Sequence, residues 1–171
     1  EEEFDFDGEF FQLKNLICRP QPIQRPHPVV MSAGASARGK RFAAEHADVA
    51  FTGHYGLKGD ELKAMVADYR QMARDDYGRG INIWTNAYIY QGETEKDAQA
   101  LWDYCVIETG DQIAVNNLTG DLGIDGRETP ARKLTHLKNH FIAGWGGYPI
   151  IGTKEQVVEG LQEIADAGFD G

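Results

Sequence analysis

The 171-residue chain is poor in the residues that would signal a cross-linked or metal-stapled fold. It has only two cysteines, Cys18 and Cys105, and no C-x-x-C pair, so neither a disulfide framework nor a zinc site is indicated. Apolar runs are short, none approaching the ~18–20 residues of a membrane helix. Basic residues are scarce: 17 Lys and Arg face 27 Asp and Glu, a net charge of −10 that argues against nucleic acid or an anionic membrane as partner. No signal-peptide pattern opens the chain, and the expectation is a cytoplasmic protein. Six prolines and 20 glycines exclude a collagen-like chain, and a 42% hydrophobic fraction is enough for a packed core.

Along the chain, Asp7-Gly8 is a turn signal flanked by Phe4, Phe6, Phe10 and Leu13, which predicts a β-hairpin. An extended, proline-rich connector follows from Arg19 to Pro28. From Val29 onward strands and helices alternate. PVVMSA reads as a strand buried on both faces, Ser36–Ala47 as helix, and DVAFTG as strand. Asp60–Tyr77 carries Leu62, Met65, Val66, Tyr69 and Met72 at helical spacing. Ile81–Tyr90 (INIWTNAYIY) reads as one strand, and Thr94 with Asp97 opens the next helix. Asn116–Pro130 is expected to be a loop, Ala131–His140 a short helix, and FIAGWGGYPIIG a glycine-rich segment. Thr153 and Gln156 then form a capping box for a last helix that stops at Gly168. Such alternation implies parallel βαβ units. Because the chain starts within a hairpin and ends on a strand-like FDG, it is expected to be a fragment.

The segment carrying chemistry is SAGASARGKRF, Ser32–Phe42, where a strand ends and a helix begins. Ser36 can cap the helix, Gly34 and Gly39 permit close backbone approach, and first-turn amides form an anion seat beside Arg38, Lys40 and Arg41. The plainer alternative is a capped turn that binds nothing. The same residues nearly spell a P-loop, but Arg41 stands where Ser or Thr would hold magnesium, so triphosphate hydrolysis is not expected.

Together with GEFFQLKN, RPQPIQRPHPVVMSAGASARGKRFAAEHADVAF and IGTKEQVVEGLQEIADAGFDG, this loop resembles the luciferase-like, flavin-dependent monooxygenases, in particular their dimethyl sulfone, pyrimidine and alkanesulfonate branches. The resemblance runs through nearly all 171 residues. It implies an α/β fold: the C-terminal half of a (β/α)8 TIM-type barrel, with an insertion hairpin before the fifth strand. Residues 1–171 would then be one partial barrel domain, truncated at both ends. It implies oxidoreductase activity in which reduced FMN, supplied by a separate flavin reductase, and O2 oxygenate a small organic substrate, organosulfur or N-heterocyclic. Gly34, Ala35 and Ser36 would hold the flavin phosphate. A homo-oligomer is compatible with it. A deazaflavin-dependent oxidoreductase, or a non-catalytic phosphate- or nucleotide-binding module, remains as alternative.

Three further groups have two readings each. Asn86 and Tyr88 could face a substrate pocket, or pack in the barrel with Tyr88 hydrogen-bonded. Trp145, among Gly144, Gly146 and Gly147, could wall the pocket beside a stretch that is mobile in the family, or fill a turn. His136 and His140 sit at i, i+4, but Leu137 replaces the Glu of a zincin, so exposed or capping histidines are expected and no metal. The alkanesulfonate branch presents Arg and His from the strand holding Asn86, and an Arg near Trp145. All are missing here, which favours a less anionic substrate. Both cysteines are expected to be buried and inert.

Overall fold

The computed structural model describes residues 3–54, 56–124 and 130–171. They fall into two compact units, Glu1–Val30 and Met31–Gly171. In the first, β1 (Phe4–Asp7) and β2 (Gln12–Leu16) pair antiparallel, with Asp7 opposite Gln12. The turn closes through Gly8 N–H on the Phe11 carbonyl at 2.8 Å. Asp5 ties the strands together, accepting from Lys14 Nζ at 2.9 Å and from the Asn15 amide at 3.0 Å. These two bonds hold its carboxyl below the usual carboxylate range.

The second unit opens with three parallel strands in the order β3 (Met31–Ser32), β4 (Val49–Phe51), β5 (Asn82–Trp84). The crossovers are α1 (Ala37–His46) and α2 (Gly59–Tyr77). Alanine at positions 43, 44 and 47 lets α1 lie close to α2, and the two bury Val66, Tyr69 and Ala73 against Ala50 and Ile83 of the strands and Ile81 just before β5. Each fully buried large side chain contributes ~1.5–3 kcal/mol. A second core joins Leu62 of α2 to Tyr148, Ile150, Val157 and Ala167. Left-handed Gly78 ends α2, its N–H returning to the Arg74 carbonyl at 3.0 Å.

Beyond β5 the chain forms β6 (Ala87–Gln91), α3 (Glu95–Trp102) running into a π-helical stretch Asp103–Glu108, α4 (Gln112–Asp121), α5 (Ala131–Gly144), β7 (Tyr148–Gly152) and α6 (Lys154–Asp166). β6 and β7 pair in parallel over five residues. Thr94 and Thr153 both make complete capping boxes, and left-handed Gly168 follows α6. Asp170 N–H donates to Ile83 O of β5 and Gly171 O accepts from the Thr85 amide just after it, so FDG lies beside that strand although it forms no full ladder.

Four expectations fail here. The INIWTNAYIY segment is two strands: β5 pairs with β4, β6 with β7, and Thr85–Asn86 belong to neither. Residues 116–121 are helical because Asp111 caps α4, accepting from the Ala114 amide at 2.8 Å, while Val115 and Thr119 are buried one turn apart. Residues 125–129 of the expected loop lie outside the described residues. PVVMSA is not buried on both faces: only Met31–Ser32 pair, with a neighbour on one side, and Val29, Val30 and Met31 are exposed. Cys18 is exposed and Cys105 half-buried.

Candidate functional site

The C-terminal ends of β3, β4 and β5 open into one cavity of about 600 Å³. Ala33 follows β3, Phe51, Gly53 and His54 come from the end of β4, and Asn86 follows β5. The opposite wall is one face of α5 and the turn after it: Lys133, His136, His140, Phe141, Trp145 and Gly146. Parallel α/β sheets place ligands at this end, because there the loops diverge and helix N-termini converge. The volume is in the range of small-ligand and cofactor sites.

At one edge stands the β3–α1 turn. Ser36 caps α1, its Oγ accepting from the Gly39 amide at 3.0 Å, and Lys40 N–H bonds the Ser36 carbonyl at 2.8 Å. The first-turn amides of Ala37 and Arg38 precede these and have no acceptor within the helix. The Ser36 hydroxyl keeps its own proton to donate. The two glycines permit the close backbone approach expected of them, and the approach is to each other. A Cβ at Gly34 would come within 2.7 Å of Gly39 Cα, and one at Gly39 within 2.7 Å of Gly34 Cα. They press against each other and close the turn. Lys40 turns away as well, reaching Asp68 at 3.5 Å and lying 4.9 Å over the Tyr69 ring.

The α5 wall is assembled from distant parts of the chain. His136 and His140, one helical turn apart, stack edge-to-face with ring centres 4.2 Å apart. Tyr88 OH lies 2.9 Å from His140 Nδ1, and Tyr90 OH donates to the Ala143 carbonyl at 3.1 Å. Asn86 Nδ2 donates to the Gly144 carbonyl at 3.2 Å. Glycine is required at two of these contacts, since a Cβ at Gly144 would meet Tyr88 Cβ at 2.5 Å and one at Gly147 would meet Asn86 Nδ2 at 2.7 Å. Trp145 adopts φ 56° at the end of α5, packs its ring on Phe141, and is 64% exposed.

Asn86 and Trp145 therefore line the cavity, whereas Tyr88 stands behind the wall and is hydrogen-bonded. His136 and His140 are cavity-lining, not merely exposed or capping. Sequence reasoning missed His54. It is buried, accepts from the Gly56 amide through Nδ1 at 3.0 Å, and packs edge-on against Tyr148 at 4.9 Å. Burial lowers its pKa, the Gly147 backbone opposes that, and Lys58 adds to the lowering. His140 is also lowered, by burial first and then by His136 and His54. Both rings are neutral at neutral pH. Among the described residues no group of three or more His, Cys, Asp or Glu could hold a metal ion. Nor is any helix among them long and apolar enough to cross a membrane.

A sequence model described as luciferase-like monooxygenase matches residues 1–171. An FMNH(2)-dependent dimethylsulfone monooxygenase from Pseudomonas putida is 28% identical over 99% of the chain and 47% of the relative. A pyrimidine monooxygenase from Acinetobacter baylyi is 29% identical over 95% of the chain and 43% of the relative. The solved structure of a long-chain alkane monooxygenase superposes with a TM-score of 0.70 at 27% identity, covering 99% of this chain and 41% of that one. The chain thus spans under half the length of the curated relatives it matches.

Proposed function

The chain belongs to the luciferase-like monooxygenase family, and from that premise we propose that it is the C-terminal half of the TIM-type barrel of a reduced-FMN-dependent monooxygenase. The observation that carries the reading is that Ala33, the first residue of the turn leading to the Ser36 cap of α1, lines the cavity at the strand ends. In it, Gly34, Ala35 and Ser36 hold the flavin phosphate, by backbone amides, the Ser36 hydroxyl and the positive end of α1. Reduced flavin, delivered by a separate reductase, supplies the electrons and the O2 chemistry when bound. The protein's own part is to bind, orient and keep water out. Phe51, Phe141 and Trp145 give the cavity apolar walls, and Asn86 and His140 put polar groups among them.

The substrate in this reading is a small organic molecule, organosulfur or N-heterocyclic, as the names of the two curated relatives suggest. Lys133 is the one charged side chain on the cavity wall among the described residues, which suits a neutral or weakly polar molecule. The test is a titration of reduced FMN into the complete protein and its Ser36→Ala variant. Saturable binding is expected, weakened in the variant, which also loses about 1 kcal/mol of stability with the cap. Absence of saturable binding in the unaltered protein would overturn the function; equal affinity in the variant would overturn only the role of Ser36.

A further inference from the structure

Tyr88 and His140 meet across 52 positions of chain at 2.9 Å. Two arrangements of the proton fit that distance: the phenol donates to Nδ1, or Nδ1–H donates to the phenol oxygen. Tyr88 is buried, and among the described residues its hydroxyl has no second hydrogen-bond partner. The second arrangement would leave the phenol proton away from water with no acceptor, whereas the first satisfies both groups. Burial pushes the Tyr88 phenol up to about 12, so it keeps the proton it donates. A neutral His140 whose Nδ1 accepts must carry its single proton on Nε2. The imidazole is on the cavity wall and Tyr88 is not, so the phenol grips the ring from behind and leaves the other nitrogen for the cavity. Gly144 makes that grip possible, because any Cβ there would strike Tyr88.

We propose that Tyr88 is a positioning residue that fixes His140 in its Nε2–H form, so the cavity offers a hydrogen-bond donor, and not a base, to a sulfone or carbonyl oxygen. The ligand half of this inference rests on the cavity being the substrate site. The tautomer half stands apart from it.

The experiment is 15N NMR of the complete protein labelled at histidine, with the His140 signal assigned by substitution. His140 is expected in one tautomer, protonated at Nε2. In Tyr88→Phe, and in Gly144→Ala, where the hydroxyl is kept but displaced, that single form should give way to a mixture. Tyr90→Phe, which removes a neighbouring bond to α5 without touching the ring, should leave it unchanged. A proton on Nδ1 in the unaltered protein, or no change in Tyr88→Phe, overturns the positioning role. The first of these outcomes is read on the unaltered protein and overturns the role even if a variant fails to fold. Dimethyl sulfone and uracil then serve as probes. A shift of the His140 Nε2–H signal with either supports the donor role, and silence with both overturns it. Failed flavin binding would instead strike the proposed function and leave the tautomer result standing.

Discussion

The two sides of the cavity are built by opposite strategies. The β3–α1 turn is local: Gly34, Ser36, Gly39 and Lys40 make all its defining contacts within seven positions, Gly34 to Lys40. The α5 wall is non-local: its bonds join residues 52, 53 and 58 positions apart. Local construction makes a rigid feature that few substitutions can adjust. Assembly from β6 and α5 leaves a surface where single side chains can change while the backbone stays. In the function proposed above, the first side is assigned to the cofactor and the second to the substrate.

The sharpest way to break this contrast is at Gly34. Gly34→Ala drives a Cβ into the backbone of Gly39, and should cost ~1–3 kcal/mol and lower the urea midpoint. Gly80→Ala, with open space around it, should be neutral or slightly stabilising by comparison. Equal effects at the two glycines would show that the turn is not closed by that contact.

A smaller effect should come from acid, acting on histidines of both walls. His54 and His140 have pKa values below the ordinary 6.5 in the folded chain, so as pH falls through 6.5 the unfolded chain takes up protons that the folded chain refuses. Stability is therefore full above that pH, declines below it, and levels off once the folded rings also protonate. Thermal midpoints at pH 7.5 and 5.5 should show this decline, reduced in His54→Gln. A midpoint that rose on acidification would contradict the burial of these rings. The smallest effect is expected at Lys40→Met. Its partly exposed ion pair with Asp68 is worth under about 1 kcal/mol, and flavin affinity should not change because the side chain points away from the turn. A marked loss of flavin affinity would return Lys40 to the phosphate seat.

The same contrast explains what was legible in the sequence. Ser36 at a cap, the Thr94 and Thr153 capping boxes and the stripe Leu62, Val66, Tyr69 are all short-range patterns, and the structure contains each. Gly34 and Gly39 could be seen as special, yet their mutual contact could not, since spacing alone does not say what a missing side chain makes room for. Asp111 was a readable cap that the surrounding Asn and Gly residues obscured. His54 carried no local signal at all, because its burial depends on Tyr148, 94 positions away. The division of Ile81–Tyr90 was hidden for a related reason: alternation specifies which face a side chain takes, but not which strand lies alongside.

Helix α2 sends Leu62 into one core and Val66, Tyr69 and Ala73 into the other, with Met65 and Phe169 packed against both. Neither core can open without stripping apolar surface from the same rod. The strands it underlies, β4 and β7, should therefore share one opening event, and their backbone amides should exchange with solvent deuterium as a single cooperative unit despite belonging to separate sheets.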